Sequence, residues 1–235
     1  MVVILLIVSL LPVFLLGLYI YKKDSAKEPK SLLIGLFASG FLAALVTIAI
    51  SILFMVVMPN FYLSENYSDF NFITLFILIF SQIALVEEFS KWIMIRNLGY
   101  NNRDFDQIYD IIVYSVFVGL GFAAIENLFY VFDGGVFLGI YRGVFSVPGH
   151  ASFGVLMGYF LGLAKLASLN NNKSLYIKNM ILSIFVPAFC HTVFNFCLMT
   201  GSVYFLLVFL GFVIILYVIA ILKINQFSDI GFKNN

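Results

Sequence analysis

Two adjacent glutamates and a lysine, Glu87, Glu88 and Lys91, lie in a stretch that is otherwise apolar, from Phe72 to about Ile95. A charged side chain such as Asp or Lys at the centre of a membrane helix costs roughly 2.5–3.5 kcal/mol on insertion scales. Residues three and four apart are neighbours on a helix, so the ammonium of Lys91 can reach either carboxylate. Because one lysine cannot neutralise two glutamates fully, this face is predicted to look into a polar interior and to carry a site.

The other polar residues of the apolar stretches form a small set that includes both histidines of the chain: Glu126, Asn127, His150, His191 and Asn195. Each has a purely structural interpretation. Glu126 could hydrogen-bond a neighbouring helix, His150 could lie at the membrane interface, and His191 with Asn195, on one helix face, could join two helices. Four separate polar positions along one short membrane protein are hard to explain independently, so we predict that they converge on one site.

Carboxylates and neutral imidazoles together favour the activation of water. A glutamate can take a proton from water, while histidine and asparagine polarise a carbonyl group and stabilise the oxyanion. The same groups could hold a divalent metal, since two histidines and a carboxylate form a known catalytic zinc ligand set. A proton or ion relay would also use glutamate and histidine within a membrane. The residues alone leave these three chemistries open.

The composition makes the bilayer the solvent of this chain. Of its 235 residues 63% are hydrophobic and 11% are charged, whereas a soluble domain has about 25% charged residues. The net charge of +1 indicates nothing about partners, but the lack of a large basic patch argues against a nucleic-acid partner. Cys190 and Cys197 are seven residues apart on one predicted helix, roughly 10 Å along its axis, so they are interpreted as small packing residues.

The apolar stretches predict an all-α fold, a polytopic membrane bundle of about seven transmembrane helices. We interpret residues 1–235 as a single domain whose motif-bearing core is about 72–199. Small residues on the second and fifth spans predict close helix packing, at Gly35, Ser39, Gly40 and Ala43 and at Gly154, Gly158 and Gly162. The predicted spans are 1–21, 31–58, 72–95, 108–131, 150–169, 179–199 and 203–222, with a mixed and partly re-entrant stretch at 132–149.

Nearly all basic residues fall on one side of such a bundle, and Arg142 alone falls on the other. By the positive-inside rule the basic side is cytoplasmic, which predicts an external N-terminus and a cytoplasmic C-terminus. The basic-side residues are Lys22, Lys23, Lys27, Lys30, Arg96, Arg103, Lys165, Lys173, Lys178, Lys223 and Lys233.

These spans place Glu87 toward the cytoplasmic third of the membrane but Glu126 and His150 toward the outer side. Convergence therefore requires a later start of the third span, an inward dip of the stretch at 132–149, or a shift of the sixth helix at Pro187.

Four motifs on successive spans carry a resemblance to a known family: EExxK at 87–91, FxxxEN at 122–127, HxxxG at 150–154 and HxxxN at 191–195. In this order they resemble the PrsW family of bacterial intramembrane proteases. That family is related to the CAAX prenyl endopeptidase and Abi families, whose motifs are EExxxR, FxxxH and HxxxN. The resemblance covers roughly residues 20–200.

The resemblance implies a multi-pass peptidase of the bacterial cell membrane that makes the first, extracytoplasmic cut in a membrane-anchored anti-sigma factor. This cut leads to activation of an envelope-stress sigma factor. By position in the motifs, the implied catalytic residues are Glu87, Glu88, Glu126, His150, His191 and Asn195. Lys91 and Asn127 would be orienting residues. The resemblance leaves open whether a divalent metal such as zinc is bound. The candidate ligands are Glu88, Glu126, His150 and His191.

Two other functions are compatible with the same residues. An ion- or proton-coupled transporter would use the acidic and imidazole groups, but it predicts paired half-sequences, and we see no internal repeat. A non-catalytic immunity or scaffold protein would need Glu88 only for stability or binding.

Overall fold

The computed structural model describes residues 2–24, 26–57, 59, 67 and 70–227, most of which are helical, with no strand among them. This confirms the predicted all-α membrane fold. Met1, Met58 and Lys233, which the predicted spans and loops include, lie outside the described residues. The helices are α1 (Val2–Lys23), α2 (Lys30–Val57), α3 (Phe72–Leu98), α4 (Ile108–Val144), α5 (Ser146–Leu169), α6 (Lys173–Met199) and α7 (Val203–Phe227).

Six continuous helical stretches of the described chain are long and apolar enough to cross a membrane. One of them, Ile108–Leu169, has 62 residues. As one straight helix it would be about 93 Å long, three times the thickness of a bilayer core. The chain instead reverses at Gly135, whose φ of 77° and ψ of −170° are essentially restricted to glycine. The 62-residue stretch is therefore two antiparallel arms, which accounts for the seven helices predicted.

The turn at Gly135 lies within the stretch 132–149, whose partly re-entrant character stays a prediction. The first part of α4, up to Gly134, runs in one direction, and the residues of α4 after Gly135 run back along it. A Cβ on Gly139 would lie 3.0 Å from Cγ2 of Val131, eight residues earlier. At the end of this return segment, the hydroxyl of Tyr217 on α7 donates a hydrogen bond of 2.7 Å to the carbonyl oxygen of Phe145. The break between α4 and α5 is thus held in place by α7.

The glycine face of α5 packs directly on α4. A Cβ on Gly154 would lie 2.9 Å from the carbonyl oxygen of Ser115, and one on Gly158 would lie 2.6 Å from Cα of Ile112. Both contacts are with backbone, which cannot give way as a side chain can. The predicted close approach is therefore confirmed, and it brings the motif-bearing parts of α4 and α5 side by side.

The small-residue stripe of α2 makes a second close contact with α4. A Cβ on Gly40 would lie 2.2 Å from the carbonyl oxygen of Val118, and one on Gly121 would lie 2.0 Å from that of Phe37. Gly35, in contrast, has nothing within 4 Å of its added Cβ. The two arms of α4 and α5 form the interior of the bundle, while large apolar side chains of α1, α2 and α7 point outward.

Candidate active site

The acidic pair on α3 is buried together with its lysine. Nζ of Lys91 lies 2.7 Å from Oε1 of Glu88 and 3.6 Å from Oε2 of Glu87, so the ammonium reaches both carboxylates, as the spacing predicts. It also lies 4.0 Å from the ring centre of Phe122 on α4, within the range of a cation–π contact. A π-helical segment, Ile79–Ala84, comes directly before this turn of α3. Such segments are frequent at functional sites.

The depths of the motifs agree because α3 ends part of the way along α4. Gly99, just after α3, lies against Tyr114, where an added Cβ would be 2.8 Å from Cδ2 of the ring. Twelve residues separate Gly99 from Glu87, and twelve separate Tyr114 from Glu126. Both counts correspond to about 18 Å of helix, so the two carboxylates reach the same level. The third span begins at Phe72, as predicted, so a later start is not the reason for the convergence.

His150 on α5 joins the lysine of α3 to the glutamate of α4. Its Nδ1 lies 3.1 Å from Nζ of Lys91, and its Nε2 lies 2.8 Å from Oε2 of Glu126. An ammonium can only donate, so Nδ1 is the acceptor and the ring hydrogen is on Nε2, which donates to the carboxylate. Both nitrogens of His150 are therefore occupied by protein partners.

Glu126 is also held by the return segment that follows Gly135. Nη2 of Arg142 lies 2.8 Å from Oε2 of Glu126, and Nε of Arg142 donates to Oδ1 of Asn127 at 2.9 Å. Asn127 in turn donates to the carbonyl oxygen of Ser9 on α1. Arg142 was not among the residues predicted for the site. Arg142 is the one basic residue predicted on its side of the bundle, and it lies in an apolar stretch that contains glycines. This position is the signal that could have indicated a role at the site.

His191 on α6 completes the cluster from the opposite side. Its Nδ1 lies 3.0 Å from Oε1 of Glu88, and its ring stacks on Phe153 with centres 4.8 Å apart. Because a carboxylate only accepts, Nδ1 carries the hydrogen and the lone pair of Nε2 stays free. Asn195, one turn further along α6, is partly buried and makes no side-chain hydrogen bond to the described part of the chain. The structure therefore shows no hydrogen bond or ion pair that joins Asn195 to the described residues of the acidic cluster.

Among the residues that the structure describes, one group of side chains fits a metal ion. Ligand atoms of Glu87, Glu88 and His191 lie within 4.8 Å of one another. Oε2 of each glutamate is buried with no hydrogen-bond partner, as expected for an oxygen whose partner is a bound cation. Glu126 and His150, which were also predicted as candidate ligands, are outside this group: Glu126 binds Arg142, and His150 binds Lys91.

The charges of the site also favour a bound cation. Three carboxylates, those of Glu87, Glu88 and Glu126, face two fixed cations, Lys91 and Arg142. With neutral histidines the cluster has one negative charge in excess. A buried uncompensated charge is strongly unfavourable, so the cluster has the donors and the charge to take up one further positive charge.

A multi-pass helical bundle with paired carboxylates and histidines buried between its spans defines the class of intramembrane hydrolases. Comparison with known proteins identifies the family. Residues 28–222 match the family model described as PrsW family intramembrane metalloprotease. The chain belongs to this family, which confirms the resemblance seen in the four motifs, and it is a peptidase.

Named relatives agree over most of the chain. A Protease PrsW from Oceanobacillus iheyensis is 36% identical over 219 residues, which are 93% of each chain. A Protease PrsW from Halalkalibacterium halodurans is 33% identical over 79% of this chain and 83% of its own. One from Clostridioides difficile is 29% identical over 95% of this chain and 91% of its own. No solved structure matches the chain significantly.

Proposed function

We propose that this membrane peptidase cuts the membrane-anchored segment of an anti-sigma factor and so activates an envelope-stress sigma factor. Membership of a family of intramembrane metalloproteases supports proteolysis. The observation that carries the chemistry is the pairing of Glu87 and Glu88, each with a free buried oxygen, with His191. The domain is proposed to comprise the whole of residues 1–235.

In this proposal Glu87 is the general base and Glu88 positions His191. Oε1 of Glu88 is held by both Lys91 and His191, whereas Glu87 lines a cavity and its Oε2 has no hydrogen-bond partner. Glu87 takes a proton from water as the water oxygen attacks the peptide carbonyl. It returns that proton to the amine nitrogen as the C–N bond breaks. The free amide of Asn195 donates to the carbonyl oxygen as negative charge develops there.

The same side chains fit the metal that the family name implies. Glu87, Glu88 and His191 would hold it, and we propose zinc, which these ligand types suit. When bound, such an ion polarises the carbonyl and acidifies water. Because Oε1 of Glu88 is held by Lys91 and His191, the oxygen left for proton transfer is Oε1 of Glu87. His150 is proposed to act without binding metal, by holding Glu126 and Lys91 in place.

We further propose that the protein lies in the bacterial cell membrane with its N-terminus outside and its C-terminus in the cytoplasm. The support is the excess of Lys and Arg in the loops on one side of the bundle.

The test is cleavage of an anti-sigma factor with a single membrane span, encoded in the same genome, by the purified protein in liposomes. Wild type, Glu87→Gln, Glu88→Gln and a chelator-treated sample are compared, with Glu28→Gln as a control for loss of a buried glutamate outside the site. We expect cleavage by wild type and Glu28→Gln, and a loss of at least about 100-fold in the two site variants. Restoration of the chelated sample by zinc would support the metal. Full activity of Glu88→Gln would contradict the proposal, and ion-flux assays would then test a transporter.

A further inference from the structure

A cavity of about 410 Å³ lies between α2 and α4 and opens onto the acidic cluster. The two helices are in closest contact at Gly40 and Gly121. Beyond this contact, Ala44 of α2 and Phe122 of α4 line the cavity. From there the larger side chains of α2 and α4 line its walls. The volume is within the usual range of about 300–1,000 Å³ for ligand sites.

This cavity joins the active site to the membrane. Glu87 and Glu126 lie on its wall, so a molecule in it touches the proposed general base. Ile48 and Ile52, also on its wall, are 38% and 59% exposed at the outer surface of α2. A second apolar cavity, between α1 and α2, is larger at about 530 Å³, but no residue of the acidic cluster lines it.

The wall of the cavity includes a residue whose hydroxyl has no partner among the residues that the structure describes. Thr47 lines the cavity and is only 7% exposed, yet its Oγ1 makes no hydrogen bond to the described part of the chain. Hydroxyls on helices of this chain otherwise commonly donate to a carbonyl one turn back, as Ser115 and Thr192 do at 2.7 Å. A buried hydroxyl without a partner is unfavourable, so we infer from the position of Thr47 on the cavity wall that a bound molecule satisfies it.

The chemistry of an extended peptide fits this arrangement. A helical segment satisfies its own backbone groups, but a protease must act on an unwound chain, whose N–H and C=O groups need partners within the bilayer. A threonine hydroxyl can both donate and accept, so it can bind either backbone group. The apolar walls formed by Ile48, Ile125 and Phe129 suit the side chains of a membrane-spanning segment.

We propose that the substrate enters sideways from the bilayer between α2 and α4, and that this cleft holds the unwound segment beside the scissile bond. Thr47 is the positioning residue, hydrogen-bonded to the substrate backbone. This inference rests on the proposed function, intramembrane proteolysis, and adds the route and the binding site of the substrate.

Photo-crosslinking tests the route. The cross-linking residue p-benzoylphenylalanine is placed at Ile48 or at Val46 in Glu88→Gln protein, and the single-span anti-sigma factor is the probe. Val46 is a matched control because it lies on the same helix with 39% exposure, against 38% for Ile48, and does not line the cleft. Ile34, beside the larger cavity, controls for that surface. We expect cross-links from Ile48 at least about fivefold above those from Val46 and Ile34. Equal yields, or a higher yield at either control, would overturn the route.

Substitution of Thr47 tests the hydrogen bond. Thr47→Val keeps the shape and removes the hydroxyl, Thr47→Ser keeps the hydroxyl, and Thr74→Val is the same change at an exposed position of α3. Loss of one hydrogen bond predicts a fall in kcat/KM of about 3- to 10-fold for Thr47→Val, rescue by Thr47→Ser and no change for Thr74→Val. A merely structural role would lower the melting temperature of Thr47→Val instead. Wild-type kinetics in Thr47→Val would overturn the assignment.

The two proposals fail in different ways. If wild-type protein does not cut the anti-sigma factor, the proposed function fails for that substrate whatever stands at position 47. If wild type cuts it while Ile48 gives no preferential cross-link and Thr47→Val is unchanged, the peptidase stands and the cleft is not its substrate site.

Discussion

Nζ of Lys91 on α3 and Nδ1 of His150 on α5 are 59 positions apart in the chain and 3.1 Å apart in the structure. The contact fixes the hydrogen of His150 on Nε2 and directs it at Glu126. It connects the acidic pair of α3 to the ion pair of Glu126 and Arg142. One lysine thus aligns groups from three helices, and its removal should affect both the fold and the reaction.

Lys91→Ala is expected to lose stability and activity together. Two buried carboxylates would lose their cation, and breaking a buried ion pair typically costs about 3–5 kcal/mol. Thermal unfolding in detergent should show a clearly lowered melting temperature, with Lys173→Ala on the exposed start of α6 as the control. A melting temperature equal to that of wild type would mean that Lys91 does not neutralise the pair.

The two histidines should differ in their effect on bound metal. His191 has a free Nε2 and belongs to the group that fits an ion, whereas both nitrogens of His150 are occupied. After purification and loading with zinc, His191→Ala should retain much less metal than wild type, and His150→Ala should retain a wild-type amount. Both should lose cleavage, with protein yields close to wild type for His191→Ala. Metal content measured by mass spectrometry separates the two, and an equal loss in both variants would contradict the assignment.

The four motifs and their order were enough to predict the residues that meet at the centre of this bundle, because charged groups in an apolar helix have few tolerable surroundings. The spacing of Glu88 and Lys91 and the glycines of α5 also predicted their local contacts correctly. Arg142 could not be assigned in this way. Its contact with Glu126 depends on the reversal at Gly135, and a glycine in a sequence does not reveal a positive φ.

The relative depth of the motifs was equally inaccessible from the sequence. Counting residues from each predicted span end assumes that all helices end at the membrane surface. Here α3 ends against Tyr114, well inside the length of α4. Only the packing of Gly99 on that ring shows that Glu87 and Glu126 are level.

A carboxyl group in the loop between α1 and α2 should make the stability depend on pH. Glu28 is 6% exposed and accepts a hydrogen bond from the hydroxyl of Tyr114 at 2.7 Å. Burial, aided by the charge of Asp24, raises the pKa of the Glu28 carboxyl from its usual 4.5 to about 7, against the lowering effect of hydrogen bonds from Tyr114 and Asp110. The folded state therefore favours the neutral carboxyl. Its contribution to stability is complete below about pH 4.5 and is lost as the pH rises through about 7.

Glu28→Gln, which keeps the shape without the charge, should therefore be more stable than wild type at pH 8 and equal to it at pH 4. Melting temperatures across this range provide the measurement. A difference that stays constant with pH would show that the carboxyl titrates alike in the folded and unfolded chain.

Gly135→Ala should weaken the site from a distance. Nothing lies within 4 Å of a Cβ added at Gly135, so the only penalty is conformational. Its φ of 77° and ψ of −170° are in a region that costs other residues about 1–3 kcal/mol. If the turn relaxes, Arg142 moves away from Glu126, and cleavage should fall by more than the loss of folded protein explains.

Gly211→Ala is the control, because that helical glycine also has open space at its Cβ but no positive φ. It should be neutral or slightly stabilising. Equal behaviour of the two variants in melting and cleavage assays would show that the reversal at Gly135 does not position Arg142.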